Sequence, residues 1–204
     1  MKRCLMSAAL VTLLGLCVLG LTNRDRITEE INFGRQQRSV AQAITAASPD
    51  QLRGFLDQPD AELRRVAAVR LAQINDASGR SALVASLYPQ TVFATGNGEF
   101  QARMKPGAIL KAGQVFATLE GQSLRSPITG ALFRFYQPQP GGFHLGHRVA
   151  EIVPAESNVR EAIDALGLVG KQSDAEELES LARAFPNYSA ETGAACQKIR
   201  SRRR

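Results

Sequence analysis

The sequence predicts an α+β multidomain protein in which an all-β module is inserted into a superhelix of α-helices, behind an apolar N-terminal helix. An uncharged apolar run at the N-terminus, a duplicated strand pattern marked by glycines, and apolar residues at helical spacing on both sides of that pattern lead to this prediction. The predicted segments are an apolar anchor (1–22), a stalk helix or linker (23–48), helices (49–89), the β module (90–154), further helices (155–200) and a basic tail (201–204).

Residues 1–22 predict an export signal or a signal anchor. Lys2 and Arg3 precede an apolar run that is about as long as a membrane span. Because positive residues favour the cytoplasmic side, we expect a single-pass protein of a bacterial inner membrane with its C-terminal part in the periplasm. Cleavage near Gly20 stays open and would instead release the protein. The residue before Cys17 is not small, which favours a buried thiol over a lipoprotein.

The segments next to the apolar run predict helices. Residues 23–48 carry a glutamine-rich, charged centre and predict a stalk that faces water. Proline and a capping acid, Pro59 and Asp60, mark the start of a longer helix. Its predicted core stripe consists of apolar residues at helical spacing, namely Leu63, Val66, Ala67, Leu71 and Ile74. Shorter amphipathic helices are predicted at 49–56 and 79–87.

The longer helix has the pattern Asp60-x-x-Leu-Arg-x-x-Ala-Ala followed by Leu-Ala-x-Ile74, which resembles a HEAT repeat. A similar succession of helical segments follows the β module at 157–170, 174–185 and 189–200. The resemblance implies that helices on both sides of the module stack on each other as one α-solenoid, because HEAT-like pairs bury their apolar faces only against neighbours. The β module is then an insertion into that solenoid.

The β module repeats itself. The stretch 98–119 returns as 130–152, and each copy contains a turn glycine, Gly113 or Gly146, followed by a closing strand of alternating apolar residues. Glycine suits these turns because it adopts positive φ without a Cβ clash. We expect the two halves to pack face to face as one small β unit.

The turn motifs of this repeat resemble those of the biotinyl/lipoyl-like barrel-sandwich hybrid. They are Pro106-Gly-Ala-Ile-Leu-Lys-Ala-Gly-Gln114, Ser126-Pro-Ile-Thr-Gly130 and Gly142-Phe-His-Leu-Gly146. The resemblance covers about a quarter to a third of the chain. It implies either an acylated carrier domain or one of the unmodified relatives. Those relatives include the lipoyl-like domain of periplasmic adaptor (membrane fusion) proteins and the C-terminal domain of the aspartoacylase family, where the module is an interaction surface.

The central hairpin argues against a carrier. Carriers of this family present a lysine at the hairpin tip, whereas residues 120–125 contain none. Arg125 cannot replace that lysine, because a guanidinium group is not nucleophilic at neutral pH. Lys105 and Lys111 belong to the preceding turn, where they are expected to be solvated charges that protect a sheet edge. We therefore predict an unmodified module without a cofactor.

No catalytic, cofactor-binding or metal-binding residues are predicted. His144 and His147 are three residues apart on a turn, which is expected to splay their rings in solvent, and no acidic or cysteine cluster accompanies them. Cys196 lies among small residues and is expected to be a buried apolar residue on a helix face. The sequence contains neither a nucleophile elbow nor a phosphate-binding glycine loop. The protein is therefore predicted not to be an enzyme.

The formal net charge of +6 raises nucleic acid as a partner, but the charge is dispersed and export would separate the chain from nucleic acid. The basic run 198–204 predicts a frayed, solvated tail, with contact to anionic headgroups as the alternative.

The predicted function is that of a membrane-anchored, non-enzymatic scaffold of the cell envelope. It binds partner proteins through the solenoid and the module, is held in the membrane by its N-terminal helix, and has no small-molecule substrate. One alternative is a reduced periplasmic adaptor of a transport or efflux system. Such adaptors usually insert a long coiled-coil hairpin between the two halves of the module, whereas this chain has only the six residues 120–125 at that position. The other is an acyl-carrier-type subunit of an enzyme complex.

Overall fold

A computed structural model of the protein describes residues 44–202. The chain divides into two compact units, 1–45 and 46–204, and the elements from Pro49 to Ser201 belong to the second unit. The predicted anchor, most of the predicted stalk and the last two residues of the predicted tail lie outside the described residues. Within 44–202, no helix combines the length and the apolar character that a membrane span requires.

The fold class is α+β, as predicted, and helices surround the β module in sequence. The helices are α1 (Pro49–Phe55), α2 (Ala61–Gln73), α3 (Arg80–Ala85), α4 (Glu156–Val169), α5 (Gln172–Ala184) and α6 (Ser189–Ser201). Short 3₁₀ turns, Ala77–Gly79 and Pro186–Tyr188, precede α3 and α6. Side chains cap the first two helices: Ser48 forms a capping box with Gln51, and the Asp60 carboxylate accepts hydrogen bonds from the first turn of α2.

The β module contains two antiparallel sheets, and neither is closed into a barrel. The strands are β1 (Gln90–Phe93), β2 (Phe100–Ala102), β3 (Ile109–Leu110), β4 (Val115–Leu119), β5 (Gln122–Arg125), β6 (Gly130–Phe135) and β7 (Arg148–Pro154). The four-stranded sheet has the order β1-β7-β6-β3, and the three-stranded sheet has the order β2-β4-β5. The first and last strands of the module are therefore neighbours, with Gln90 opposite Ile152.

The core of the β module is contiguous in sequence and rich in aromatic side chains. Phe116 and Phe143 are fully buried, and Phe100 makes edge-to-face contacts with Phe143 and with Phe135. Most of the other buried residues lie on the strands of the two sheets. These other residues are Ala94, Leu110, Ala117, Leu119, Leu124, Ile128, Leu132, Val149, Ala150 and Ile152.

The helices that precede and follow the module share one hydrophobic core. Two helices before the module contribute Ala68, Val69, Ala72 and Leu83. The helices after it contribute Val159, Ala162, Ile163, Ala165, Leu166, Ala175, Leu178, Leu181, Ala195, Cys196 and Ile199. The two segments, which are distant in sequence, therefore bury part of their apolar faces against each other.

The predicted core stripe of α2 is partly wrong. Ala67 and Leu71 are fully buried, as expected, but half of the Ile74 side chain is exposed. Ile74 lies after the last helical residue, and the chain turns away from the helix at Asn75, where φ is 60°. The helix therefore ends at Gln73, one residue before Ile74, and the Ile74 side chain does not reach the core. The predicted stripe places Arg65 on the solvent-facing side of α2, but Arg65 is buried.

Small residues let the helices approach closely. A Cβ placed on Gly79 would lie 2.5 Å from the Ala68 Cβ and 2.6 Å from its Cα. On α4, a Cβ on Gly167 would lie 3.3 Å from Ala195 of α6. The packing of α2 against the start of α3 therefore depends on the missing side chain at Gly79.

Candidate functional site

The outer face of the four-stranded sheet carries large apolar side chains. Strand alternation directs Leu110 and Leu132 into the core, so Ile109 points outwards. A bulge between Leu132 and Arg134 adds one residue to β6, which leaves both Phe133 and Arg134 exposed. Ile109 is 74 % exposed and Phe133 is 57 % exposed.

Arg134 is held in place by its neighbours on this face. Its guanidinium group lies 5.5 Å from the centre of the Phe133 ring and 5.0 Å from that of Tyr136. Its Nε donates to Glu151 Oε2 over 2.7 Å, and the Tyr136 hydroxyl donates to the same oxygen over 3.1 Å. Hydrogen bonding to Glu151 raises the pKa of Arg134, so the guanidinium group stays charged. We call Ile109, Phe133, Arg134, Tyr136 and Glu151 the sheet face.

The sheet face has the composition of a protein-binding surface. In protein interfaces, aromatic residues and arginine are enriched among the residues that contribute most of the binding free energy. Rigid side chains also lose little conformational entropy on binding. A single exposed apolar residue needs no explanation, but Ile109 and Phe133 lie on neighbouring strands of one sheet. The arrangement can therefore offer apolar contact and a fixed cation to a partner.

The central hairpin has a shorter tip than the sequence suggested. Glu120 and Gly121 form a two-residue turn with φ of 48° and 76°, and residues 122–125 belong to β5. The Glu120 amide donates to the Glu99 carbonyl, and Arg125 donates to the Gly113 carbonyl. Arg125 therefore lies along an edge strand and not at the tip.

The prediction that His144 and His147 splay apart is wrong. Their rings meet edge to face with centroids 5.2 Å apart, and the His144 amide donates to His147 Nδ1 over 3.4 Å. The cause is a tight turn in which Gly146 has a φ of 82° and the His147 amide donates to the His144 carbonyl. Among the described residues, no group of three or more metal-binding side chains surrounds a common point.

Cys196 is buried on α6, as predicted. Its thiol contacts the Ala175 carbonyl of α5, and burial raises the thiol pKa, which disfavours the reactive thiolate. The predicted tail begins later than expected, because α6 continues to Ser201 and the Arg202 side chain donates to the Gly170 carbonyl.

Sequence reasoning missed a buried charged cluster between the helices and the module. The Arg65 side chain is 8 % exposed and pairs with Glu62 over 2.8 Å and with Glu161. Burial acts to lower the Arg65 pKa, but the hydrogen bonds that Arg65 donates to the two glutamates, together with their negative charge, outweigh it and raise the pKa. Glu62 also accepts the Thr129 amide of the β module over 3.5 Å. The spacing of Glu62 and Arg65 along one helix face is the signal that could have revealed the pair.

A cavity of about 30 Å³ adjoins this cluster, which is room for one or two water molecules. Arg65 Nε is buried and has no hydrogen-bond partner within the described part of the chain. A buried donor of this kind is expected to bind water in such a cavity. The cluster therefore joins the helices to the module and is too small to hold a metabolite.

The comparisons with known proteins assign no family. The chain matches no protein-family model and no curated protein.

Proposed function

We propose that the protein is a membrane-anchored, non-enzymatic interaction protein of the cell envelope. In this proposal the β module is an unmodified biotinyl/lipoyl-like module, the helices form a short HEAT-like solenoid, and the N-terminal apolar run is the anchor. Partner proteins bind the sheet face. The observation that carries the proposal is the exposed Phe133 ring, which lies beside the Arg134 guanidinium group on the strand next to that of Ile109.

Two further observations support the assignment of the module and the helices. The module is built from two small antiparallel sheets, in which β3 of the first repeat copy pairs with β6 of the second, and the hairpin between β4 and β5 ends in Glu120 and Gly121 and not in lysine. The helices before and after the module share one core, which is the arrangement expected of an interrupted solenoid.

The adaptor alternative has less support. Adaptors place a long helical hairpin between the halves of their lipoyl-like domain, whereas Glu120 and Gly121 alone connect β4 to β5. A module of this kind can still contact a transport protein, but the sheet face is then the contact surface and not a helical hairpin.

Site-specific photocrosslinking in intact cells tests the proposal. A photoreactive amino acid replaces Ile109 or Phe133 in the full chain, and Leu168, which is 40 % exposed on α4, carries the same group as the control. We expect one discrete protein adduct from positions 109 and 133 that position 168 does not form. If neither sheet-face position crosslinks to a protein, or if all three give the same adducts, the sheet face is not the binding surface.

Membrane attachment is tested separately. A fusion of alkaline phosphatase after Arg204 is expected to be active in a bacterial host, and the chain is expected to stay in the membrane fraction after high-salt washing. An inactive fusion would reverse the orientation, and release by salt would remove the anchor from the proposal.

A further inference from the structure

We propose that the partner of the sheet face is a protein segment that carries carboxylates on both sides of apolar side chains. This inference rests on the proposed function, because it names the chemistry of the partner that binds there. It follows from how charge is distributed over the β module and from the fixed geometry of Arg134.

Acidic residues of the module are absent from the neighbourhood of β3. Within 90–154 the sequence contains three of them, and Glu151 is already paired with Arg134. The other two, Glu99 and Glu120, meet beside the tip of the hairpin between β4 and β5. The three-stranded sheet therefore carries the other two acids of the module, and the β3 side of the four-stranded sheet carries none.

Exposed lysines stand on both sides of β3. Lys105 begins the turn that leads into the strand, and Lys111 follows its last residue. Neither ammonium group has a carboxylate partner within the part of the chain that the structure describes. Ile109 lies between the two lysines and is the most exposed large apolar residue described. A partner that covers Ile109 therefore meets a positive charge at each end of the strand, which a carboxylate would complement.

The adjacent Phe133 and Arg134 favour a protein segment over an anionic bilayer. The Arg134 charge is already matched by Glu151, so a lipid phosphate gains little from it. A rigid ring beside a projecting aliphatic side chain is suited to packing against the side chains of a protein.

The test uses tryptophan as a local reporter, because the chain contains none. The full chain in detergent micelles carries Phe133→Trp, and its emission is followed during titration with synthetic peptides. In the first peptide, glutamates flank a Leu-Phe pair; in the second, lysines replace the glutamates; in the third, serines replace Leu and Phe. Vesicles of phosphatidylglycerol and phosphatidylcholine form a fourth arm. Leu168→Trp is the control reporter.

We expect the glutamate peptide to shift the emission of the reporter at position 133 and to bind about tenfold more tightly than the lysine peptide. Reversing both charges with Lys105→Glu and Lys111→Glu should reverse that preference. The matched control, Arg183→Glu with Lys198→Glu, changes the net charge equally on α5 and α6 and should leave the preference unchanged. The serine peptide should bind weakly, because the apolar anchor is absent.

The outcomes separate this inference from the proposed function. Equal binding of the glutamate and lysine peptides would overturn the acidic partner, while crosslinks from position 109 in cells would still support a protein-binding surface. A blue shift with anionic vesicles that is larger than with any peptide would assign the face to the membrane and overturn the inference. If the in-cell crosslinks fail, the proposed function itself is wrong.

Discussion

The helical core and the β core of this protein are built in opposite ways. The β core is contiguous in sequence and depends on a few large rings, whereas the helical core joins residues about a hundred positions apart and depends on alanines, leucines and glycine contacts. A contiguous core can close as one local unit. The helical core forms only when the chain on both sides of the module has come together, which should couple its two halves energetically.

The largest expected effect comes from truncating buried leucines on each side of the module. Leu83 precedes the module and Leu166 follows it, and both are fully buried in the helical core. Each alanine variant should lower the free energy of unfolding by about 2–5 kcal/mol, because methyl groups and packing contacts are lost. Both should shift the same cooperative transition in urea, followed by circular dichroism. Separate transitions for the two variants would show two independent helical units.

Removing the module sharpens this comparison. Gln90 and Ile152 are opposite each other in neighbouring strands, so a short Gly/Ser linker can replace 90–154 without separating α3 from α4. The shortened chain should keep its helical circular dichroism and unfold cooperatively. Loss of cooperativity would mean that the helical core cannot form without the β core and would contradict the prediction.

A smaller effect is expected from adding one methyl group at a close contact. In Gly79→Ala the new Cβ would overlap Ala68, including its backbone, and the variant should be destabilised by about 1–3 kcal/mol. Gly193, in α6, provides the control because a Cβ there would meet nothing within 4 Å. Gly193→Ala should be neutral or more stable by about 0.5–1 kcal/mol, since alanine favours helix. Equal melting temperatures for the two variants would contradict the packing described.

Arg65 connects the two cores and can be tested by a double-mutant cycle. Arg65→Met leaves the partly buried Glu62 carboxylate beside the Thr129 amide without its cation, which should cost about 1–3 kcal/mol in the free energy of unfolding. Adding Glu62→Gln should recover part of that loss, because the uncompensated charge is removed. Glu161 is half exposed, so Glu161→Gln should have a smaller effect. If the changes in the free energy of unfolding of the two single variants simply add in the double variant, Glu62 and Arg65 are not coupled.

The smallest effect is expected at low pH. Hydrogen bonds from the Ser78 hydroxyl and amide, with a further contribution from Arg53, lower the Asp76 pKa from 3.8 to about 2. Because the folded-state pKa is depressed, the stabilisation is present above the ordinary pKa and is lost as pH falls towards 2. Asp76→Asn should therefore make stability less dependent on pH between about 4 and 2. The control is Asp57→Asn, and an unchanged pH profile for Asp76→Asn would contradict the prediction.

Local patterns predicted much of the fold, and non-local contacts account for what was missed. Helical spacing located α2 and α4, and Asp60 caps α2 as expected. The burial of Arg65 was missed because a charged residue within a helical pattern is ordinarily assigned to solvent, and its partner Glu161 is distant in sequence. Phe133 was not identified because alternation along 130–135 leaves open whether Leu132 or Phe133 faces the core, and the bulge that also turns Arg134 outwards is not visible in the sequence.

The pairing of β1 with β7 has a mechanical consequence. A domain attached through one flexible linker can swivel, but this module leaves and rejoins the helices through two hydrogen-bonded strands. Twisting the module relative to the helices would strain the hydrogen bonds between β1 and β7. This strand pair would therefore transmit the torque to the helices. A partner that pulls on the sheet face would therefore load α3 and α4 together, and the helical core would bear the force as one body.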